Sequence, residues 1–252
     1  MEFLKIEEIR RKFGEGGIRD FSPAYGRLGA ITDDTQMALS TAEGLLRCEV
    51  RGRIKGIEVL SSMVGHAYQR WLLTQGEKSS VEVSGWLITN RELFRRRSPG
   101  DTCLSALERR NAPADPARIR SKGCGGVMRV APIGMGMAGL SGLIYLLLRR
   151  VPLEKALDDV IEILKKQPRH EETSEAIRKA VELASQRPGC AEAIREFGEG
   201  WTGEEVLAIG IYCALSAKSY ESGVILAVNH DGDSDSTGSI AGNILGAVHG
   251  VE

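Results

Sequence analysis

Ten residues near the C-terminal end, Asn229-His230-Asp231-Gly232-Asp233-Ser234-Asp235-Ser236-Thr237-Gly238, place three carboxylates and three hydroxyls within seven positions and run straight into an apolar segment. A folded interior does not accept that density of negative charge without a counter-ion. Hard oxygen donors this closely spaced suit Mg2+, Mn2+ or Ca2+ better than zinc. The segment beyond them carries Gly238, Gly242 and Gly246 at four-residue spacing among Ile240, Ile244, Leu245 and Val248. A glycine inside a helix costs about 1 kcal/mol relative to alanine. Three on one face therefore predict the close approach of another helix backbone.

A second acidic stretch lies about two hundred residues earlier. Thr32-Asp33-Asp34-Thr35 opens a helical pattern of Met37, Leu39, Ala42, Leu45 and Leu46. Thr32 takes the N-cap position, and Asp33 and Asp34 fall in the first turn, where free backbone N–H groups favour negative charge. Either cluster alone reads as ordinary helix capping. Together they read as two half-sites converging on a pair of cations, the arrangement that metal-assisted hydrolysis uses.

Charge and cysteine content exclude several classes. With 33 basic and 34 acidic residues in 252, the chain lacks the positive excess of a nucleic-acid binder. The run Arg95-Arg96-Arg97 reads as a solvated helix end. Cys48, Cys103, Cys124, Cys190 and Cys213 are scattered and form no C-x-x-C pair, so neither a disulfide framework nor a zinc knuckle is expected, and a reducing cytoplasm fits. The first residues, Met1-Glu2-Phe3-Leu4-Lys5, lack signal-peptide architecture. The longest apolar run, Leu140 to Leu148, is too short to span a membrane.

Strand-like alternation is almost absent, whereas helical spacing recurs throughout. Helices are predicted through Ile6, Ile9 and Phe13, over 33–47, 56–74 and 81–94, and from Gly100 through Cys103, Leu104 and Leu107. Further helices follow Pro152, cover 171–185, start at the capping-box spacing Thr202 to Glu205, cover 219–228 and follow Asp235. Residues 20–29 and 110–126 read as loops. The second ends in Ser121-Lys122-Gly123-Cys124-Gly125-Gly126, where backbone N–H groups could meet a phosphate or a tight turn could let helices pass. The expectation is a single all-α domain spanning 1–252.

Several of these stretches carry a resemblance. Gly29 to Met37 (GAITDDTQM), Ser121 to Pro132 (SKGCGGVMRVAP) and Asn229 to Gly246 (NHDGDSDSTGSIAGNILG) resemble the ADP-ribosylglycohydrolase family, and Pro99 to Leu104 and Trp201 to Ala217 are similar to it as well. The pairing of T-D-D-T with a distant G-D-x-D-[ST] is the specific part. The resemblance implies a compact, many-helix all-α domain with two Mg2+ ions (Mn2+ being an alternative), held by Thr32, Asp33 and Asp34 from one side and by Asp233, Asp235 and Ser236 from the other. It implies cleavage of the glycosidic bond between ADP-ribose and a modified protein side chain, arginine first. Glu2, Asp33, Asp34 and Asp233 are the candidate catalytic carboxylates. Gly123, Gly125, Gly126, Met128 and Arg129 are the candidate substrate loop, and His230 is a candidate to orient a ligand. Relative to the family pattern, the chain is expected to lack a first helix, a segment after Met137 and the C-terminal helices. ADP-ribose or an ADP-ribosylated protein is the expected partner, with no nucleic acid, no membrane and a monomer favoured. Two alternatives stay open: a non-catalytic family member that binds ADP-ribose or serves structurally, and a two-metal nucleotide phosphohydrolase.

Overall fold

The computed structural model describes residues 3–79, 81–109, 121–130 and 139–250. The described residues are overwhelmingly helical, with one two-stranded antiparallel ribbon, Pro23–Ala24 against Arg27–Leu28. The helices are α1 (Ile6–Phe13), α2 (Asp33–Lys55), α3 (Leu60–Thr74), α4 (Asp101–Glu108), α5 (Leu140–Leu148), α6 (Leu153–Leu164), α7 (Glu171–Gln186), α8 (Gly203–Ser216), α9 (Tyr220–Val228) and α10 (Ser234–His249). The all-α expectation is met. Among the described residues no helix is long and apolar enough to cross a membrane. The chain divides into two compact units, a larger one of Met1–Gly29 with Lys122–Glu252 and a smaller one of Ala30–Ser121.

In the larger unit, α8 is the hub. Nine consecutive residues, Val206 to Ala214, are buried, and a helix apolar on every side has to be surrounded. It packs against α7, α9 and α10, while α10 also meets α5. The α8–α10 crossing is tight because Gly210 lacks a side chain: a Cβ there would sit 2.6 Å from Ile240 Cγ2 and 3.3 Å from the Ala241 nitrogen. Tyr212 ties α8 to the segment after α7, its hydroxyl donating to the Arg187 carbonyl (2.6 Å) and accepting from the Cys190 N–H (2.9 Å).

The glycines of α10 face α9, but its side chains rather than its backbone. Gly238 lies against Val228, Gly242 against Tyr220 and Val224, and Gly246 against Tyr220. The predicted close neighbour is a helix; the predicted backbone contact is replaced by large side chains filling the glycine channel.

In the smaller unit α2 packs on α3, and α3 on α4. Gly44 permits this: a Cβ there would meet the Val64 Cα at 2.7 Å. The interior between α2 and α3 is partly polar, with Arg70 and Glu43 paired at 3.0 Å and both buried. Trp71 Nε1 donates to Gln36 Oε1 at 3.1 Å. The helix predicted to end at 47 continues to Lys55 and stops at Gly56 in the left-handed region (φ 66°). The helix predicted over 81–94 does not form. Its place is taken by two 3-10 turns, Leu87–Thr89 and Arg91–Leu93. Gly85 (φ +120°) breaks the run, and Asn90 caps the second turn by accepting from the Glu92 N–H at 3.1 Å.

Candidate metal and substrate site

On the smaller unit, Thr32 occupies the N-cap of α2 with extended backbone, but its side chain makes no capping hydrogen bond. Asp33 and Asp34 follow in the first turn and are buried, 4 % and 3 % exposed. The residue that fixes this helix start is Arg97. Its backbone carbonyl accepts from the Asp33 N–H at 3.1 Å, and its guanidinium donates to the carbonyls of Ile31 (3.0 Å) and Glu92 (3.3 Å). Gln36 adds a bond to the Arg95 carbonyl at 3.2 Å. The reading of Arg95-Arg96-Arg97 as a solvated helix end is thus corrected for Arg97, which is 2 % exposed. Carbonyls take N–H groups of both terminal nitrogens, which offsets much of the cost of burial, while the buried Nε has no partner.

On the larger unit, the second acidic cluster is a sharply folded loop leading into α10. Gly232 adopts φ +102°, and a Cβ there would stand 2.1 Å from the Glu199 carbonyl oxygen. That same carbonyl accepts from the Asp233 N–H at 2.8 Å. Asp233 caps α10, accepting from the Ser236 N–H at 3.3 Å on Oδ1, while Oδ2 accepts from the Cys124 thiol at 2.9 Å. Ser236 Oγ lies 3.6 Å from the same sulfur. Cys124 is brought there by the antiparallel bridge between Gly123 and Thr202, with its N–H on the Trp201 carbonyl (3.2 Å) and the Gly203 N–H on the Lys122 carbonyl (2.9 Å). Asn229 and Asp231 serve architecture instead. Asn229 grips both backbone groups of Ile18 (2.7 and 2.8 Å), and Asp231 accepts the Ile6 N–H at 2.7 Å, at the start of α1.

Burial, reinforced by the neighbouring Asp235 carboxylate, pushes Asp233 up to about 7, although the Cys124 and Ser236 donors pull the other way. Asp235 Oδ1 is buried with no hydrogen-bond partner. Two carboxylates crowded this way, one with an orphaned oxygen, fit a hard cation. Aspartate oxygens with a hydroxyl beside them are the donors such an ion takes. The carboxylates of Asp33, Asp34 and Asp235 are all of the kind that can hold a metal ion.

His230 is fully engaged within the protein. Its Nδ1 faces the Asp231 carbonyl (2.6 Å) and its Nε2 the Thr237 hydroxyl (2.8 Å). Thr237 Oγ1 also donates to the Ala227 carbonyl at 2.7 Å, so its one proton is contested between that carbonyl and the His230 ring. Burial holds its pKa below the usual histidine value. In the candidate substrate loop, Cys124–Gly126 form a 3-10 turn, Met128 is buried, and Arg129 Nε donates to the Gly125 carbonyl. A Cβ at Gly126 would meet nothing within 4 Å, so that face of the turn is open. Glu2 and residues 131–138, which include Met137, lie outside the described residues. Cys124 and Arg97 were not foreseen as site residues. Cys124 stood inside the glycine motif, but nothing in its spacing pointed to a partner 109 positions away.

The profile of the ADP-ribosylglycohydrolase family matches residues 1–142 and 136–252. An uncharacterized protein of Archaeoglobus fulgidus is 26% identical over 276 aligned positions, covering 98% of this chain and 81% of the relative. The chain belongs to the ADP-ribosylglycohydrolase family, a family of hydrolases acting on ADP-ribosylated substrates.

Proposed function

We propose that the protein is a divalent-metal-dependent hydrolase that cleaves the glycosidic bond between ADP-ribose and a modified protein side chain, arginine first. Thr32, Asp33, Asp34, Asp233, Asp235 and Ser236 are the residues that would hold two Mg2+ ions. Bound there, the ions would hold ribose hydroxyls and lower the pKa of a water.

The chain's own groups supply the rest. Asp33, Asp34 and Asp233, with Glu2, are the carboxylates available to take a proton from the attacking water and to face the positive charge that grows at the anomeric carbon. The Gly123-Cys124-Gly125-Gly126 turn offers backbone N–H groups to a pyrophosphate, and Met128 and Arg129 shape the loop that carries it. His230, locked by Asp231 and Thr237, holds the acidic loop in place beside the substrate.

The buried, unpartnered Oδ1 of Asp235 carries this reading. The test is turnover of an arginine-ADP-ribosylated peptide with Mg2+, followed by mass spectrometry. Free ADP-ribose is the expected product, and Asp235→Ala should lower the rate at least about 100-fold. Release of AMP or phosphate instead would identify a phosphohydrolase. Mg2+-dependent binding of ADP-ribose without any turnover would identify a non-catalytic member.

A further inference from the structure

The C-terminal half of α2 leaves a face uncovered. Leu46, Val50 and Ile54, spaced by four, form an apolar stripe, and Ile54 is 74 % exposed. Trp86, itself 56 % exposed, and Met63 stand beside the stripe and close a groove of about 440 Å3. Arg47, Arg51 and Lys55 line the same groove one position along, again at four-residue spacing. Successive fours keep each set on one helical face, so an apolar and a basic stripe run side by side for about 12 Å. Glu49, the nearest acid in sequence, is taken by Arg53 at 2.7 Å. Among the described residues neither Arg51 nor Lys55 has a carboxylate partner. A contiguous apolar patch rimmed by charge marks an interaction surface.

We propose that this groove docks an acidic amphipathic helix of a partner protein, with apolar side chains in the Leu46–Val50–Ile54 channel and carboxylates on the Arg47–Arg51–Lys55 border. Charge decides the occupant. A second copy applied by two-fold symmetry would bring like charges together, which costs affinity. The concavity between α2 and Trp86 matches a helix seated by anchors at i, i+3, i+4 and i+7, whereas a lipid surface is flat. The inference is independent of the hydrolase reading.

A fluorescent peptide of about 16 residues, with leucines on one face bordered by glutamates, is titrated against the protein by anisotropy. Saturable binding is expected at about 10–100 μM, weakening several-fold between 50 and 200 mM salt. Arg51→Glu and Ile54→Asp are each expected to weaken it at least tenfold with an unchanged melting temperature, since both side chains are exposed. Absence of saturable binding, equal binding of a lysine-bordered peptide, or unchanged binding by both variants overturns the proposal. So does co-sedimentation with anionic phospholipid vesicles when the peptide fails, which assigns the face to a membrane. Self-association abolished by Ile54→Asp overturns it equally, in favour of a second copy.

Discussion

The thiol of Cys124 donates to Asp233 Oδ2 across 2.9 Å, joining a glycine-rich turn to the N-cap of α10 over 109 positions of sequence. Groups that orient a metal-binding carboxylate are worth roughly 10–100-fold in affinity. Cys124→Ala is therefore expected to weaken Mg2+ binding about tenfold, measured by calorimetry with the metal alone. Cys124→Ser, which keeps a donor, is expected to stay within a few-fold of the parent. Equal affinity in all three proteins would show that the thiol does not orient Asp233.

In the proposed metal site, Asp235 would set stability of the metal-free protein against metal uptake. Its carboxylate raises the pKa of Asp233, and its own Oδ1 is unpartnered. Asp235→Asn removes the like-charge repulsion and should stabilise the metal-free protein by about 1 kcal/mol, or roughly 2–4 °C in Tm. The same change should erase the Mg2+-induced rise in Tm, which for a ligand at 100 times its Kd corresponds to about 2.7 kcal/mol. A metal-induced shift that survives in Asp235→Asn would remove Asp235 from the ligand set.

His230 predicts how stability depends on acidity. Burial lowers its folded-state pKa below the unfolded value of about 6.5. Between the two values the unfolded chain binds the extra proton, so stability is fully present above about pH 6.5. It falls as the pH drops, and the loss is complete once the folded pKa is passed. The steepest slope available to one group is about 1.4 kcal/mol per pH unit. Urea midpoints measured from pH 7.5 to pH 5 should fall more steeply for the parent than for His230→Gln. Parallel curves would show that the ring titrates normally in the fold.

Both acidic helix starts were legible because capping and charge at an N-terminus are local chemistry. What holds them was not. Arg97 lies in a basic triplet that looks solvated, and its burial depends on carbonyls from Ile31 and Glu92 that only the folded chain aims at it. The segment 81–94 has helical apolar spacing, but Gly85 runs so close to Glu43 that a Cβ would be 2.4 Å from Oε1. That approach fixes the backbone where no helix can continue. Glu205 likewise sits at the capping-box position yet turns its carboxylate to the Gly200 and Trp201 N–H groups, both at 3.0 Å, and not to the N-cap residue.

Arg97 should be costly to remove despite lying outside both acidic motifs. Arg97→Ala strands the part-buried Ile31 carbonyl and opens the pocket that held the guanidinium, for a loss of about 2–4 kcal/mol. Because Ile31 immediately precedes the Thr32-Asp33-Asp34 motif, Mg2+ affinity should fall with it. Arg97→Lys keeps the charge but cannot span two carbonyls, so an intermediate loss is expected in denaturant midpoints. A loss within 0.5 kcal/mol for Arg97→Ala would mean that water replaces the clamp.

Two helical glycines should respond oppositely to the same substitution. At Gly210, an added methyl collides with Ile240 at 2.6 Å and presses on the Ala241 backbone at 3.3 Å, where α8 crosses α10. Overpacking of this kind costs about 1–3 kcal/mol, more than the gain of about 1 kcal/mol from replacing a helical glycine by alanine. Gly210→Ala is therefore expected to be net destabilising. At Gly246, the methyl meets only the Tyr220 ring at 4.0 Å, an ordinary contact. Nothing there opposes the backbone-entropy gain, so Gly246→Ala should stabilise by up to about 1 kcal/mol. Thermal unfolding of the two variants beside the parent decides the matter. Destabilisation by Gly246→Ala would contradict the open α9–α10 contact described, and stabilisation by Gly210→Ala would contradict the tight α8–α10 crossing.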